Sequence, residues 1–545
     1  MSRSDYKDNQ TTHAGDHGGH GRWKAAGRWK AAARKAFISA AAIFSFSTVT
    51  HAGEPTDNQT QSVQLRDQNR ALAKRVELLE QRIKKLETPR ATRAVVAAGP
   101  AKPTNPASSA TADSTKAPAA VADDSLTWHG ITLYGAVDMG LAYQTHGAPL
   151  SNSAGFGLAY LISKNSNRPY FGAAPNALSA SNIGLKGTEE LLPGLSGVFN
   201  LQTSFLPTSG KLADGLASIV QNNGLPTTSQ TTFADSSKAG QALNTAAWGG
   251  LSSSTYGTLT YGRQNALTLD GVMAYDPMSG SGAFSVIGFQ GATADMGDTE
   301  NARLDNSLKY TVHVGPFRAA AAAQLGPNGD GSRDIIQGQL GLDYAGLSVD
   351  AIYGHVKDAV SAAPLAVGFS PTAAQLASAG SGLVAGTVSD NTGLMLLASY
   401  LRGPIKLYAG YENIEFANPA DPLPVGSTII GGYTLGTVSN TAFNNKKDLQ
   451  VFWTGAKYTV TSDLDLIAAY YLEEQNSFSG NGCADASLSS CSGQLYAASF
   501  LADYRFAKRW DAYAGAMYSQ VANGLANGFL HRSSIDPTVG VRYTF

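Results

Sequence analysis

Cysteine is nearly missing from this chain of 545 residues: there are two. A fold organised by a disulfide framework is therefore excluded. Charge is also scarce. Only 15% of residues are charged, and 40 basic residues nearly balance 41 acidic ones. The basic surface that nucleic-acid binding requires is absent, so no nucleic-acid partner is expected. No apolar run reaches the roughly 20 residues of a membrane-spanning helix. His129, His313, His355 and His531 are scattered along the chain, and no GxSxG nucleophile motif accompanies them. An enzyme is not expected, nor a metal site or a cofactor.

Glycine and tyrosine, by contrast, are abundant, at 59 and 23 residues. That composition, with few charges, points to many short strands joined by turns. Residues 1–52 read as a signal peptide: a basic segment, an apolar stretch from Ala36 to Val49, and "THA" before Gly53. Fourteen residues are too few for an anchor that spans a bilayer. His13, His17 and His20 would leave with this leader. Export implies an oxidising compartment, in which Cys483 and Cys491 are expected to form a local loop disulfide.

Residues 62–87 carry a heptad repeat. Leu65, Leu72, Leu79 and Leu86 take one core position, and Asn69, Val76 and Ile83 take the other. The alternating spacing of four and three predicts a coiled coil. "RVELLE" and "RIKKLE" resemble a short trimerisation motif, whereas β-branched and leucine core positions favour two strands. Residues 88–126, rich in Pro, Ala, Thr and Ser, predict a linker.

From residue 127 to 545 the dominant signal is a period of two. In "RLDNSLKYTVHV", Leu304, Leu308, Tyr310, Val312 and Val314 share one face. Arg303, Asp305, Ser307, Lys309, Thr311 and His313 share the other. A soluble sandwich and a membrane barrel both produce this alternation. Export, long strands, and links that alternate between short and long favour the barrel, because only a closed barrel satisfies every backbone group in lipid without helices. The expected fold is an all-β transmembrane barrel of 16 antiparallel strands. The strands are expected to begin near Ile131, Asn182, Gly197, Leu243, Gly257, Asn301, Phe317, Ile335, Leu347, Thr392, Lys406, Leu449, Leu464, Leu495, Asp511 and Ser533. The long links fall at 145–179, 206–240, 265–300, 358–389, 417–447 and 474–493. A barrel of that size encloses an aqueous channel.

Several segments, in order, resemble the general diffusion porins of Gram-negative outer membranes: "ITLYGAVDMGLAY", "SNIGLKGTEELLPGLSGVFNLQTSF", "AWGGLSSSTYGTLTYGRQ", "RLDNSLKY" and "YRFAKRWDAYAGAMY". The resemblance implies an outer-membrane channel for passive diffusion of ions and small hydrophilic solutes. It also implies a homotrimer, which favours three strands for the coil. The coil would lie in the periplasm and could reach the cell wall. Lipid and lipopolysaccharide would surround the barrel. Coiled coils also occur in some sugar and dicarboxylate porins, so a substrate-specific channel is the alternative.

The resemblance further implies that the link 265–300 folds inward and narrows the lumen, presenting Asp270, Asp276, Asp295, Asp298 and Glu300. Parity places Lys186, Arg303, Lys309 and Arg542 on the facing wall, with Tyr134, Asp138 and Asn182 as further lumen residues. Asn182 stands where family members often carry arginine. Opposed acids and bases would set a transverse field. At the terminus "VGVRYTF", Val539, Val541, Tyr543 and Phe545 are expected to face lipid. Tyr543 and Phe545 resemble the signal read by the outer-membrane assembly machinery. The final strand is expected to pair with the first and so remove the sheet's edges.

Overall fold

The computed structural model describes residues 126–147, 169–210, 212, 242–287, 303–324, 335–363, 365, 370–375, 383–420, 422, 428–430, 433–478, 488–527 and 529–545. The expected signal peptide, coiled coil and linker up to residue 125 lie outside the described residues, as do Asp295, Asp298, Glu300 and Cys483. The chain divides into two units, Met1–Asn105 and Pro106–Phe545, and every described strand belongs to the second.

The alternating segments form sixteen staves: β1 (Ile131–Gln144), β2 (Asn182–Leu192), β3 (Leu195–Ser204), β4 (Ala246–Ser253), β5 (Gly257–Asn265), β6 (Arg303–Val314), β7 (Phe317–Gln324), β8 (Ile335–Tyr344), β9 (Leu347–Ala363), β10 (Leu383–Arg402), β11 (Ile405–Ala417), β12 (Lys447–Thr461), β13 (Leu464–Gln475), β14 (Gly493–Ala507), β15 (Trp510–Asn523) and β16 (Ser533–Thr544). Each stave pairs antiparallel with the next. The last returns to the first, with Ala136 opposite Thr544 and Ala142 opposite Thr538. The fold is therefore a closed 16-strand antiparallel barrel without a free edge among its staves.

Short turns need particular residues. Between β8 and β9 the turn is Ala345–Gly346, both at positive φ (51° and 84°), as a two-residue hairpin of the right twist requires.

Fifteen of the sixteen staves begin within three residues of expectation. The tenth is the exception, starting at Leu383 instead of near Thr392. A bulge at Asp358 (φ 53°) shifts the register, after which Ala359–Ala363 pairs with Ser389–Ala385. The small and polar residues 383–391 do not alternate clearly, so their pairing is set by the neighbouring strand. The links also hold strands that were not expected. Tyr170–Pro175 pairs with the upper half of β1. Tyr433–Ser439 runs parallel to the start of β10 and forms a hairpin with Thr428–Ile430. Leu126–Trp128 pairs with the foot of β1.

The outer face is apolar, as a lipid-facing surface must be. Leu340, Phe500 and Val539 are 70%, 53% and 50% exposed, while Asp536 and Thr538, between Ile535 and Val539, point inward and are buried. The expected contrast with a uniformly polar interior requires correction. On β8 to β15 the inward positions include Ile335, Ile352, Met395, Leu397, Ile414, Leu449, Val451, Trp453, Tyr471, Leu495 and Met517, all buried. Where these residues lie, the staves are apolar on both faces because their inner face is itself covered.

A second correction concerns β6. Gly262 pairs with Ser307, but Gln264 pairs with Leu304, so Asp305 and Asn306 together oppose Arg263. Asn306 takes φ 48°. This bulge inverts the parity above it. Leu304, expected on the lipid face, is fully buried within the interior apolar cluster. Below the bulge the expected pattern holds, with Leu308 and Tyr310 exposed and Ser307 buried.

Candidate functional site: the inward-folded loop and the lumen wall

After β5 the chain turns into the barrel. Residues 266–287 include helix α1 (Leu267–Tyr275) and cross the inner face of the staves. Most of what holds this segment is apolar. Leu267, Val272, Met278, Phe284, Val286 and Ile287 share one cluster with the inward residues of β8 to β15. Fully burying a side chain such as Phe284 contributes about 1.5–3 kcal/mol. Gly271 permits the close approach, because a Cβ there would lie 2.8 Å from Ile352 Cδ1 and Leu397 Cδ1. The Phe284 ring meets Tyr513 edge to face, with centroids 6.3 Å apart.

Polar anchors fix the segment at defined points. The Leu267 amide donates to Gln337 Oε1 at 2.7 Å. Trp453 Nε1 donates to the Tyr275 carbonyl at 3.2 Å. The Tyr275 hydroxyl lies 2.7 Å from Ser348 Oγ and accepts from Arg318 Nη2 at 2.8 Å. Both Ser281 Oγ and the Ala283 amide donate to the Ala177 carbonyl at 2.8 Å, tying the loop to the first long link.

The candidate residues sort into three groups. Asp270 and Lys309 come together: they form an ion pair in which each side chain is less than one-fifth exposed. Asn265 Nδ2 donates to Asp270 Oδ1 at 3.0 Å, and Lys309 Nζ donates to the Asn265 carbonyl at 3.2 Å. The loop acid and wall base thus neutralise one another where the loop departs. Lys186 lies 5.0 Å over the Tyr134 ring, whose hydroxyl donates to Asn200 Oδ1 at 2.5 Å. Asn182 is buried, and its Oδ1 accepts from Gln202 Nε2 at 2.9 Å.

Two acids are anchors instead of pore-lining groups, contrary to expectation. Asp276 is fully buried and accepts from Tyr471 Oη (2.6 Å) and the Gly280 amide (2.8 Å). Burial pushes its carboxyl above the usual range. Asp138 is also fully buried, accepting from the amides of Leu178 (2.8 Å) and Ser179 (2.6 Å) and from Tyr513 Oη (2.6 Å). Parity placed Asp138 inward, and the resemblance placed Asp276 in the lumen. Neither could show that donors from distant segments converge on them.

Arg303 departs from expectation as well. The β6 bulge turns Leu304 inward, and Arg303 alternates with it. Its guanidinium lies within electrostatic reach of Arg263 and Asp270, and its Nε has no hydrogen-bond partner. Arg263 pairs instead with Asp305 at 2.6 Å.

The fourth expected base, Arg542, pairs with Asp511, Nε to Oδ2 being 3.0 Å. This pair belongs to a charged belt near the short-turn ends that sequence reasoning missed. Lys457, Asp465, Asp503, Arg505 and Asp511 sit at inward positions of β12 to β15. Arg318 similarly bridges Asp343 and Asp350 on β7, β8 and β9. The available signal was parity: each charge interrupts an otherwise apolar strand, as in "LDLIAAYYL" and "FLADYRF".

At the chain end, Phe545 exchanges two 3.0 Å backbone hydrogen bonds with Gly135. Its ring stacks on Tyr543, which contacts Trp510. Cys491 is buried and disulfide-bonded.

The sequence profile of the Gram-negative porin family matches residues 91–524, most of the chain. The chain belongs to that family. It is thus an outer-membrane protein whose barrel forms a channel for diffusion. Among solved structures, this porin is similar to the anion-selective porin from Comamonas acidovorans, with 19% identity over 76% of this chain and 99% of the other, at a TM-score of 0.49. It is also similar to OmpT, an outer membrane protein of Vibrio cholerae, with 13% identity over 77% of this chain and 100% of that one, TM-score 0.48. The outer membrane channel DcaP of Acinetobacter baumannii matches at 12% identity, over 76% and 97% of the two chains, TM-score 0.43. No curated protein matches significantly.

Proposed function

We propose that this porin passes ions and small hydrophilic solutes passively, through a lumen narrowed on one side by the loop 266–287. The observation that carries the reading is the apolar seam between that loop and β8 to β15. It confines water to the remaining lumen, where Lys186, Lys309, Asp270 and the charged belt stand. The family assignment favours passage over catalysis. A homotrimer is the proposed assembly, with the periplasmic coiled coil 62–87 joining three chains. Cys483 is the proposed disulfide partner of Cys491, as the only other cysteine. Tyr543 and Phe545 serve as the assembly signal, and lipopolysaccharide contacts the outer rim. A sugar-specific slide is disfavoured, because the inward aromatics Phe416, Trp453 and Tyr471 are buried.

Planar-bilayer recording tests the reading. Three equal closing steps per insertion support a trimeric pore, and absence of conductance refutes the channel. The Asp270–Lys309 pair gives a signed test. Lys309→Gln frees an acid and should move the reversal potential towards cation preference. Asp270→Asn frees a base and should move it towards anions. Shifts of the same sign would refute the assignment of this pair to the conducting path.

A further inference from the structure

On the wall formed by β2 to β4, register lines up three side chains on adjacent staves. Lys186 on β2 is directly opposed by Asn200 on β3, and Asn200 by Trp248 on β4. All three occupy inward positions, since Leu185, Leu201 and Leu251, an odd number of residues away on the same staves, are exposed on the outer face. Adjacent strands lie about 4.8 Å apart, so the row spans about 10 Å from the Lys186 backbone to that of Trp248. Each of the three residues is half-buried.

Tyr134 organises this row. Its ring crosses β2 at Gly184, where a Cβ would lie 2.6 Å from Tyr134 Cζ, and its hydroxyl donates to Asn200 Oδ1 at 2.5 Å. The anchored end of the Asn200 amide is thus its oxygen, and the NH2 group is the donor end that remains. The Lys186 ammonium stands 5.0 Å from the centre of the same tyrosine ring. Beyond Asn200, the inward neighbours of Trp248 are small: Ala246 and Gly250 on its own stave and Gly262 directly opposite on β5. One alanine and two glycines flank the indole, so the wall around it has room for a flat solute.

We propose that Lys186, Asn200 and Trp248 form a docking row for small aromatic carboxylates, such as benzoate, on their way through the channel. A carboxylate bonded directly to a ring matches the order of groups along the row. The Lys186 ammonium and the Asn200 amide offer N–H donors to its two oxygens, in hydrogen bonds strengthened by the charge. The indole stacks on the flat ring. A neutral sugar gains no charge-assisted bond here, and acetate has no ring to stack. The inference rests on the channel reading above and names a solute class for it.

The test records KCl current through the wild-type channel in a planar bilayer, then adds sodium benzoate, sodium acetate or glucose. Benzoate should interrupt the current with a midpoint about tenfold below that of acetate, the effect of one stacked ring. Trp248→Ala should bring the benzoate midpoint to that of acetate, and Trp248→Phe should keep much of the difference. Asn200→Asp, which keeps the size of the side chain and sets a carboxylate against the solute, should weaken the response to both acids. Equal benzoate and acetate midpoints in the wild type would overturn the proposal and leave the channel reading in place. So would a benzoate preference that survives Trp248→Ala. A glucose midpoint below that of benzoate would also overturn it and assign the row to sugars. Absence of KCl current would overturn the channel reading and this inference with it.

Discussion

Removing one hydroxyl should loosen the inward loop without changing the barrel. In Tyr471→Phe the ring stays and no cavity forms, but Asp276 loses the 2.6 Å donor that holds its Oδ1. Of the close contacts, the Gly280 amide at 2.8 Å remains on the other oxygen, and the Met278 amide at 3.3 Å is longer. A hydrogen bond to a charged group contributes about 1.5–3 kcal/mol, and at a fully buried carboxylate the loss is not recovered from water. About 2 kcal/mol corresponds to roughly a 30-fold rise in the population of locally opened loop. Native-state hydrogen exchange reads that population directly. The amides of Asp276, Ser279 and Ser281, which donate to Val272, Asp276 and Met278 within the loop, should exchange about 30-fold faster. Ladder amides of β13 should be unaffected. Unchanged loop exchange would show that the apolar seam alone fixes the loop, and would refute the anchoring role given to Asp276.

Acidification should stabilise the docked loop, because relief of the buried charge outweighs the weakening of its hydrogen bonds. Burial holds the folded pKa of Asp276 above the ordinary carboxylate value, so its contribution to stability is fully present below that ordinary value. It is lost as pH rises through the raised one. Loop exchange should therefore slow on going from neutral to acid pH in wild type, and Asp276→Asn should flatten the trend. A slope of the opposite sign would contradict the burial argument. Deleting Phe545 removes two backbone hydrogen bonds to Gly135 and the stack on Tyr543 at the barrel seam. The yield of folded trimer, read by heat-modifiable gel mobility, should fall more than the conductance of whatever assembles. Normal yield would refute a role of this residue in assembly. Restoring alternation by deleting Asn306 should return Leu304 to the outer face and break its contact with the interior cluster, lowering stability by about 2–5 kcal/mol on the scale of losing a buried leucine.

By itself, the sequence determined the barrel. A period of two is a local property, set by the pleat, and each stave carries it in its own ten or so residues. Closure followed from the same logic, since "VGVRYTF" could not end on a lipid-facing aromatic without a partner for its edge. Parity placed Lys309 and Arg542 among the inward positions, where the first meets Asp270 of the loop and the second meets Asp511 of the adjacent strand. It failed where one residue changes the count. The bulge at Asn306 reassigns Leu304 and Arg303, and nothing in "RLDNSLKY" announces an extra residue, because a bulge is defined by the partner strand.

Tertiary structure decided which inward residues touch water. Inward-facing and water-facing are the same in an empty barrel, but here a loop that leaves after β5 lies across β8 to β15 and converts their inner face into a core. Asp138 and Asp276 consequently became anchors, through donors that come from segments up to 375 positions away in the chain. The row of Lys186, Asn200 and Trp248 has the same origin, since only register among β2, β3 and β4 places those three side chains abreast. Alternation is encoded residue by residue, whereas register, bulges and loop docking are settled by contacts between distant segments.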